Sequence, residues 1–396
     1  MRKIPPHDLS LPAILFLVLL LATAGCTQGA AQAGSSSGLH STVSVTDGYG
    51  RSVTIPSPVD RVVCSSGGPC VRYLVYLDAA DTLAGVDRGD HPDTATTTRD
   101  TRSYTLANPG FSSLPVTGAS SGTESLETFV TLNSQLIFMM GSATNQTGET
   151  LTPADALQER TGIPVIALPS GTYTTPEGRA ELYLSYRLIG RVLGKEERAE
   201  DLIAYIEATL ADLDRRTRDI PEGEQKTAYI GGLSYGGSHG LMSTQSTYPP
   251  FLWVHVKNIA DGAVIQTTDF SKESLLHADP DFIFIDAGTL GVTDEIGGFE
   301  DITSPVFADM RAVKKGDVYA TLPYNYRSSN LDTILADSYF VGKTVYPQRF
   351  ADIDPKAKAD EIYTMFVGVP VFDMINANCN NHGFERLDLS GARYRG

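Results

Sequence analysis

Ser125-Leu126-Glu127-Thr128-Phe129-Val130-Thr131-Leu132-Asn133-Ser134-Gln135-Leu136-Ile137-Phe138 is matched, in the second half of the chain, by Ser271-Lys272-Glu273-Ser274-Leu275-Leu276-His277-Ala278-Asp279-Pro280-Asp281-Phe282-Ile283-Phe284. Each stretch reads as a helix capped by Ser, with Glu in its first turn, then a polar turn and an apolar strand. A duplicated unit accounts for the match; coincidence between two ordinary αβ units is the other explanation. Working outward, short apolar runs at 61–64, 83–86, 136–140 and 165–168 alternate with Gly/Pro loops and helical stretches at 70–77 and 153–161. The same alternation resumes at 227–230, 282–286 and 318–320. Strand-helix alternation of this kind predicts an α/β layered fold with mainly parallel strands.

Two segments do not fit the alternation. Between residues 43 and 55, Val-Ser-Val and Ser-Val-Thr-Ile flank Asp47-Gly48-Tyr49-Gly50, a hairpin pattern. From 176 to 219 the apolar residues Leu182, Tyr186, Ile189, Leu193, Leu202, Ile206, Leu210 and Leu213 keep helical spacing among many charges, and Gly194 marks a break between two helices. The predicted organisation is therefore an N-terminal α/β lobe (42–175), bridging helices (176–220), a C-terminal α/β lobe (221–368) and a C-terminal extension (369–396) expected on a lobe surface.

The chain begins with Arg2 and Lys3, an apolar run from 11 to 22, and Thr23-Ala24-Gly25-Cys26. That order reads as a signal peptide over 1–25, and the run is shorter than the ~20 residues of a membrane span. Gly, Ala, Ser and Gln dominate 28–38, so 26–41 is expected to be a flexible tether. The roughly 355 residues that follow exceed what one core usually organises. A net charge of −16 argues against nucleic acid as a partner. Cys64 and Cys70 fall at a strand end and the next helix start, where a small disulfide and two free thiols are both open; metal ligation is disfavoured because neither a CxxC motif nor a nearby histidine accompanies them.

Tether, hairpin, lobe, helical bridge and echoing lobe together resemble the class III periplasmic binding proteins, the lipid-anchored receptors of ABC importers for ferric siderophores, haem and cobalamin. The residues carrying the resemblance are Thr46-Asp47-Gly48-Tyr49-Gly50-Arg51-Ser52-Val53-Thr54 leading into Arg61-Val62-Val63, Leu83-Ala84-Gly85-Val86, the two Ser-x-Glu helices, and Val313-Lys314-Lys315-Gly316-Asp317-Val318-Tyr319. It implies two Rossmann-like α/β lobes bridged by a long helix, with a ligand cleft between them and little relative movement. Cys26 is similar to a lipobox cysteine, which implies a lipid anchor on the outer face of the cytoplasmic membrane. Glu127 and Glu273 match the positions that meet arginines of the permease, although Glu also suits any first helical turn. The implied partners are the permease, its ATPase and a small-molecule metal chelate. A ferric siderophore type leads, with cobalamin or haem as alternatives. No intrinsic cofactor or metal site is expected, and a monomer is.

Ligands of open α/β sheets bind beyond the carboxyl ends of the strands. Loops there offer Ser65, Gly67, Arg88 and Ser142 in the first lobe, and Tyr235, His239, Tyr248, Tyr324, Tyr326 and Arg327 in the second. Tyrosines and His239 present aromatic faces and an imidazole, and Arg327 suits carboxylate or catecholate oxygens. A competing enzyme reading takes Gly232-Leu233-Ser234-Tyr235-Gly236 as a hydrolase nucleophile elbow at Ser234. Such an elbow feeds directly into a helix, whereas here glycines lead on to Pro249 and Pro250, so no enzymatic activity is expected.

Overall fold

The computed structural model describes residues 41–65, 69–91, 100–118, 125–141, 152–233, 240–262, 268–289 and 297–390. The hairpin forms as read: β1 (Ser41–Thr46) and β2 (Ser52–Ser57) pair antiparallel, with Val45 opposite Val53. Asp47 closes the turn by accepting the N–H groups of Tyr49 and Arg51, and its other oxygen accepts Ala167 N–H at 3.2 Å. The turn is thereby fastened to the first sheet.

That sheet is parallel, in the order β3 (Val62–Ser65), β4 (Leu136–Met140), β5 (Val165–Leu168), and Leu83 adds a parallel bridge beside Val62. Its strands are apolar without alternation because helices and loops cover both faces. A second, separate sheet contains β6 (Thr227–Gly231), β8 (Lys257–Asn258), β10 (Phe282–Asp286), β11 (Val318–Thr321) and β12 (Glu385–Arg386), in the order β12-β11-β10-β6-β8. β7 (Ser243–Thr244) and β9 (Thr268–Asp269) make a small antiparallel pair of their own. Four strands of the second sheet are parallel, and only β12 runs the other way.

The echo between the halves extends to backbone detail. Ser125 Oγ accepts Thr128 N–H and Ser271 Oγ accepts Ser274 N–H, each at 3.2 Å, so both helices start on the same cap. Phe129 and Leu275 are the buried residues of the two helices. Asn133 and Asp279, equivalent in the two stretches, both take left-handed backbone (φ 50° and 39°) before the chain enters β4 and β10. Asn and Asp are the side-chain-bearing residues that tolerate this conformation best, which is why a polar turn residue stands there.

The helical tract is two helices, Pro176–Leu193 and Glu196–Thr217, turning at Gly194 with φ +68°. Arg179 pairs with Glu207 and Arg187 with Glu200, so the helices lie antiparallel, and the long second one continues towards β6. It packs on helices Leu331–Val345 and Pro355–Val367: Tyr339 Oη donates to Asp212 at 2.8 Å, and Tyr205 meets Phe366 edge-on. The C-terminal extension does more than cover a surface. β12 closes the edge of the second sheet, Phe384 stacks on Phe340 at 4.5 Å, and Asn378 Nδ2 donates to Asp100 O in the first half at 2.6 Å. Cys64 and Cys70 are disulfide-bonded with Cα atoms 5.8 Å apart, and Cys379 is buried. Among the described residues, no helix is long and apolar enough to cross a membrane.

Candidate functional site

Segments leaving the carboxyl ends of both sheets line one cleft of about 700 Å³. The first half contributes Pro69 and Tyr73 after β3, Met140 and Gly141 at the end of β4, and residues 170–174 after β5. The second half contributes Gln245, Thr247 and Pro249, then Tyr324, Asn325, Ser328 and Ser329 after β11, and Ile334. The disulfide ties the end of β3 to helix Pro69–Tyr76, which fixes the helix that carries Tyr73.

Among the described residues that line the cleft, none is charged; hydroxyls, amides and aromatic rings make its polar surface. Tyr173 Oη donates to Ser329 O across the cleft floor at 2.9 Å, Tyr73 Oη to Ser170 O at 3.3 Å, and the Tyr324 hydroxyl to Gln245 Oε1. Burial pushes the pKa of all three phenols up. They therefore stay protonated at neutral pH, each spending its one O–H on a protein acceptor and turning its ring and remaining oxygen lone pair to the surroundings.

The residues singled out from sequence meet different fates. Tyr324 lines the cleft. Tyr248 is turned into the core, 1% exposed, with its ring behind Tyr324 at 5.9 Å and edge-on to Phe251. Tyr326 is also out of the cleft lining, its ring under the Arg102 guanidinium at 5.0 Å. Arg327 is occupied: Nη2 meets Asp87 at 2.5 Å and Nε lies 3.8 Å from Asp90, both first-half residues. Burial opposes its charge, but Asp90 and Asp87 outweigh that and hold the guanidinium protonated. Arg327 is thus paired with first-half carboxylates and stands outside the cleft lining. Ser65 is buried at the end of β3 and Arg88 is exposed, and neither lines the cleft. Glu127 and Glu273 are exposed at their helix starts, where backbone and Ser271 hydrogen bonds hold the Glu273 carboxyl below the usual range. Cys26, Gly67, Ser142, Ser234, Tyr235 and His239 lie outside the described residues. Beyond Ser234, residues 240–248 hold β7 and turns, and the next described helix, Pro249–Trp253, starts only after them, which is not the layout of a nucleophile elbow.

Sequence reasoning missed Tyr73, Tyr173, Gln245, Asn325, Ser328 and Ser329. The loop Ser170-Gly171-Thr172-Tyr173 follows a strand as directly as the loops that were chosen, so the post-strand rule itself pointed to it. Tyr73 gave no such signal, since it reads as one more apolar position of a helix.

A profile of the family described as periplasmic binding protein matches residues 75–324. A search of curated proteins finds no match. Among solved structures, the chain is similar to the molybdate periplasmic binding protein MolA of Haemophilus influenzae bound to molybdate, with 18% identity, TM-score 0.62, and 83% of this chain and 98% of that one covered. It is similar to the TroA-like periplasmic binding protein FepB of Veillonella parvula, with 23% identity, TM-score 0.59 and coverage of 83% and 97%. It also resembles CeuE of Helicobacter pylori with Ni(II) bound, with 17% identity, TM-score 0.52 and coverage of 86% and 99%. At these identities the likeness speaks to the fold; with a family match over most of its length, this chain belongs to the periplasmic binding proteins.

Proposed function

We propose that the chain is the substrate-binding lipoprotein of an ABC importer: held outside the cytoplasmic membrane by a lipid on Cys26, it captures a ferric-siderophore-type complex and delivers it to the permease through Glu127 and Glu273. The observation that carries this reading is the cleft of about 700 Å³ at the strand ends of both sheets. Clefts of about 300–1,000 Å³ suit organic ligands, and a lone oxyanion would fill little of this one. Its tyrosines offer flat faces to a chelate's rings, and the serine and threonine hydroxyls and side-chain amides of the lining offer polar groups to its oxygens. Iron held by its own organic ligand fits phenols that burial keeps protonated better than direct coordination by tyrosinate does.

The single tryptophan, Trp253, closes the helix whose first residue, Pro249, lines the cleft. A coloured iron complex in the cleft should therefore quench its emission. Fluorescence titrations with the ferric complexes of a hexadentate trihydroxamate and a hexadentate triscatecholate, with haemin and with a corrinoid are the test. Saturable one-to-one quenching by a ferric chelate is expected. Quenching by haemin or corrinoid alone would replace the ligand class, and none by any probe would overturn the reading.

A further inference from the structure

The wall that the second half gives to the cleft is a loop, Tyr324-Asn325-Tyr326-Arg327-Ser328-Ser329-Asn330, with an unusual support. Arg327 and Ser328 both take left-handed backbone, with φ +54° and +75°. Residues with side chains avoid that region unless their surroundings hold them there. The loop wraps around Asn330, whose side chain stands in for a core. Nδ2 of Asn330, a residue only 1% exposed, donates to the carbonyls of Tyr324 at 2.8 Å, Tyr326 at 3.0 Å and Ser328 at 3.2 Å. An amide placed the other way round would turn its oxygen towards three carbonyls, so the loop depends on which way this amide faces.

What fixes that choice comes from the other half. Arg72, in helix Pro69–Tyr76, donates from Nη1 to Asn330 Oδ1 at 3.0 Å and lies 3.5 Å from Ser328 O. A guanidinium has only donors, so it accepts no orientation of Asn330 but the one with oxygen towards it. Arg72 is 0% exposed and, among the described residues, forms no ion pair and no hydrogen bond from Nε or Nη2. Burying a cation without a counter-ion is costly; the Tyr73 ring lies 5.8 Å from it and the Tyr73 and Tyr173 hydroxyls neighbour it, while its hydrogen bonds from Nη1 run to this loop. Tyr173 and Asp87, also from the first half, hold Ser329 O and the Arg327 side chain.

We propose that Arg72 is a positioning residue for ligand binding: it acts through Asn330 to shape the second-half wall of the cleft, so that this wall exists only while the two halves are docked. Separation of the halves would then dissolve the wall, making opening and ligand release one event. The inference rests on the cleft being the ligand site, but its first test needs no ligand.

Hydrogen exchange on the full chain, read by mass spectrometry, reports the Asn330 amide, which donates to Tyr324 O at 2.8 Å, beside the Ile283 amide of β10 as internal reference. In Arg72→Met, exchange in 325–330 should rise about tenfold or more while β10 keeps its protection; Arg72→Lys, which restores one donor to Oδ1, should recover most of it. Asn330→Asp separates the roles sharply. It gives Arg72 a counter-ion but removes the three donations, so the loop should loosen while the melting temperature holds or rises. Unchanged loop protection in Arg72→Met and Asn330→Asp would overturn the proposal, and so would equal loosening of loop and β10 in Arg72→Lys and Asn330→Asp. Titration of the same variants with the ferric trihydroxamate should show about tenfold weaker binding in Arg72→Met. If the unmodified chain binds no probe, the functional reading fails while the exchange result stands.

Discussion

Replacing Asp286 by Asn should make this protein more stable at neutral and alkaline pH, and the gain should vanish in acid. Asp286 ends β10 fully buried, with Oδ1 accepting Gly288 N–H at 2.7 Å and Oδ2 without a hydrogen-bond partner among the described residues. Thr321 is its neighbour across the ladder, and Asp337, whose Oδ1 accepts Leu322 N–H, also leaves Oδ2 unpartnered. Burial pushes the Asp286 carboxyl up from 3.8 to about 7. Burial, with the charge of Asp286 added, raises Asp337 too. Between pH 4 and 7 the unfolded chain has lost the Asp286 proton and the folded one keeps it, so stability falls as pH rises through that window. At about 1.36 kcal/mol per pH unit the displacement corresponds to about 4 kcal/mol, fully lost above pH 7. Asn keeps the acceptor for Gly288, puts a donor where Oδ2 had no partner, and does not titrate. Urea unfolding followed by Trp253 emission should show Asp286→Asn within about 1 kcal/mol of the parent near pH 4 and roughly 2–4 kcal/mol more stable near pH 8. A difference that does not change with pH, or a loss of stability at pH 8, would refute the reasoning.

Two other expectations concern the disulfide and the two glutamates. Replacing Cys64 and Cys70 by Ser opens a loop with a sequence separation of 6, for which chain entropy gives roughly 2.4 kcal/mol and a fall in melting temperature on the order of 3 °C; a thermal scan of parent and double variant with an unchanged midpoint would contradict it. Glu127→Lys combined with Glu273→Lys should abolish uptake of the bound chelate by cells while leaving its affinity in solution unaltered, because both carboxylates are exposed and lie outside the cleft lining. Weaker binding in solution would remove them from the docking role.

What the sequence by itself determined was local. A Ser cap three residues before its N–H donor, Glu in the first turn, a polar residue where the backbone turns left-handed and an apolar strand all act within a few positions of one another. Ser125–Phe138 and Ser271–Phe284 therefore could be read directly as the same unit, and the Asp47 hairpin and the break at Gly194 were as legible. The order of these units carried the two-sheet α/β fold.

The tertiary structure decided which side chains face the ligand, and distant partners settled it. Arg327 looked like a cation free for a chelate until Asp87, 240 positions away, was seen to hold it. Tyr248 looked like a residue facing the ligand, but its ring packs edge-on to Phe251 in the core. Tyr73 and Arg72 are adjacent in one helix, yet one lines the cleft and the other is buried against Asn330, 258 positions further on. The disulfide, open from the spacing of Cys64 and Cys70, was settled only when β3 and the following helix brought the two sulfurs together. A helix cap or a strand is stabilised by neighbours along the chain and so is written there, whereas burial and charge pairing depend on what the fold places opposite.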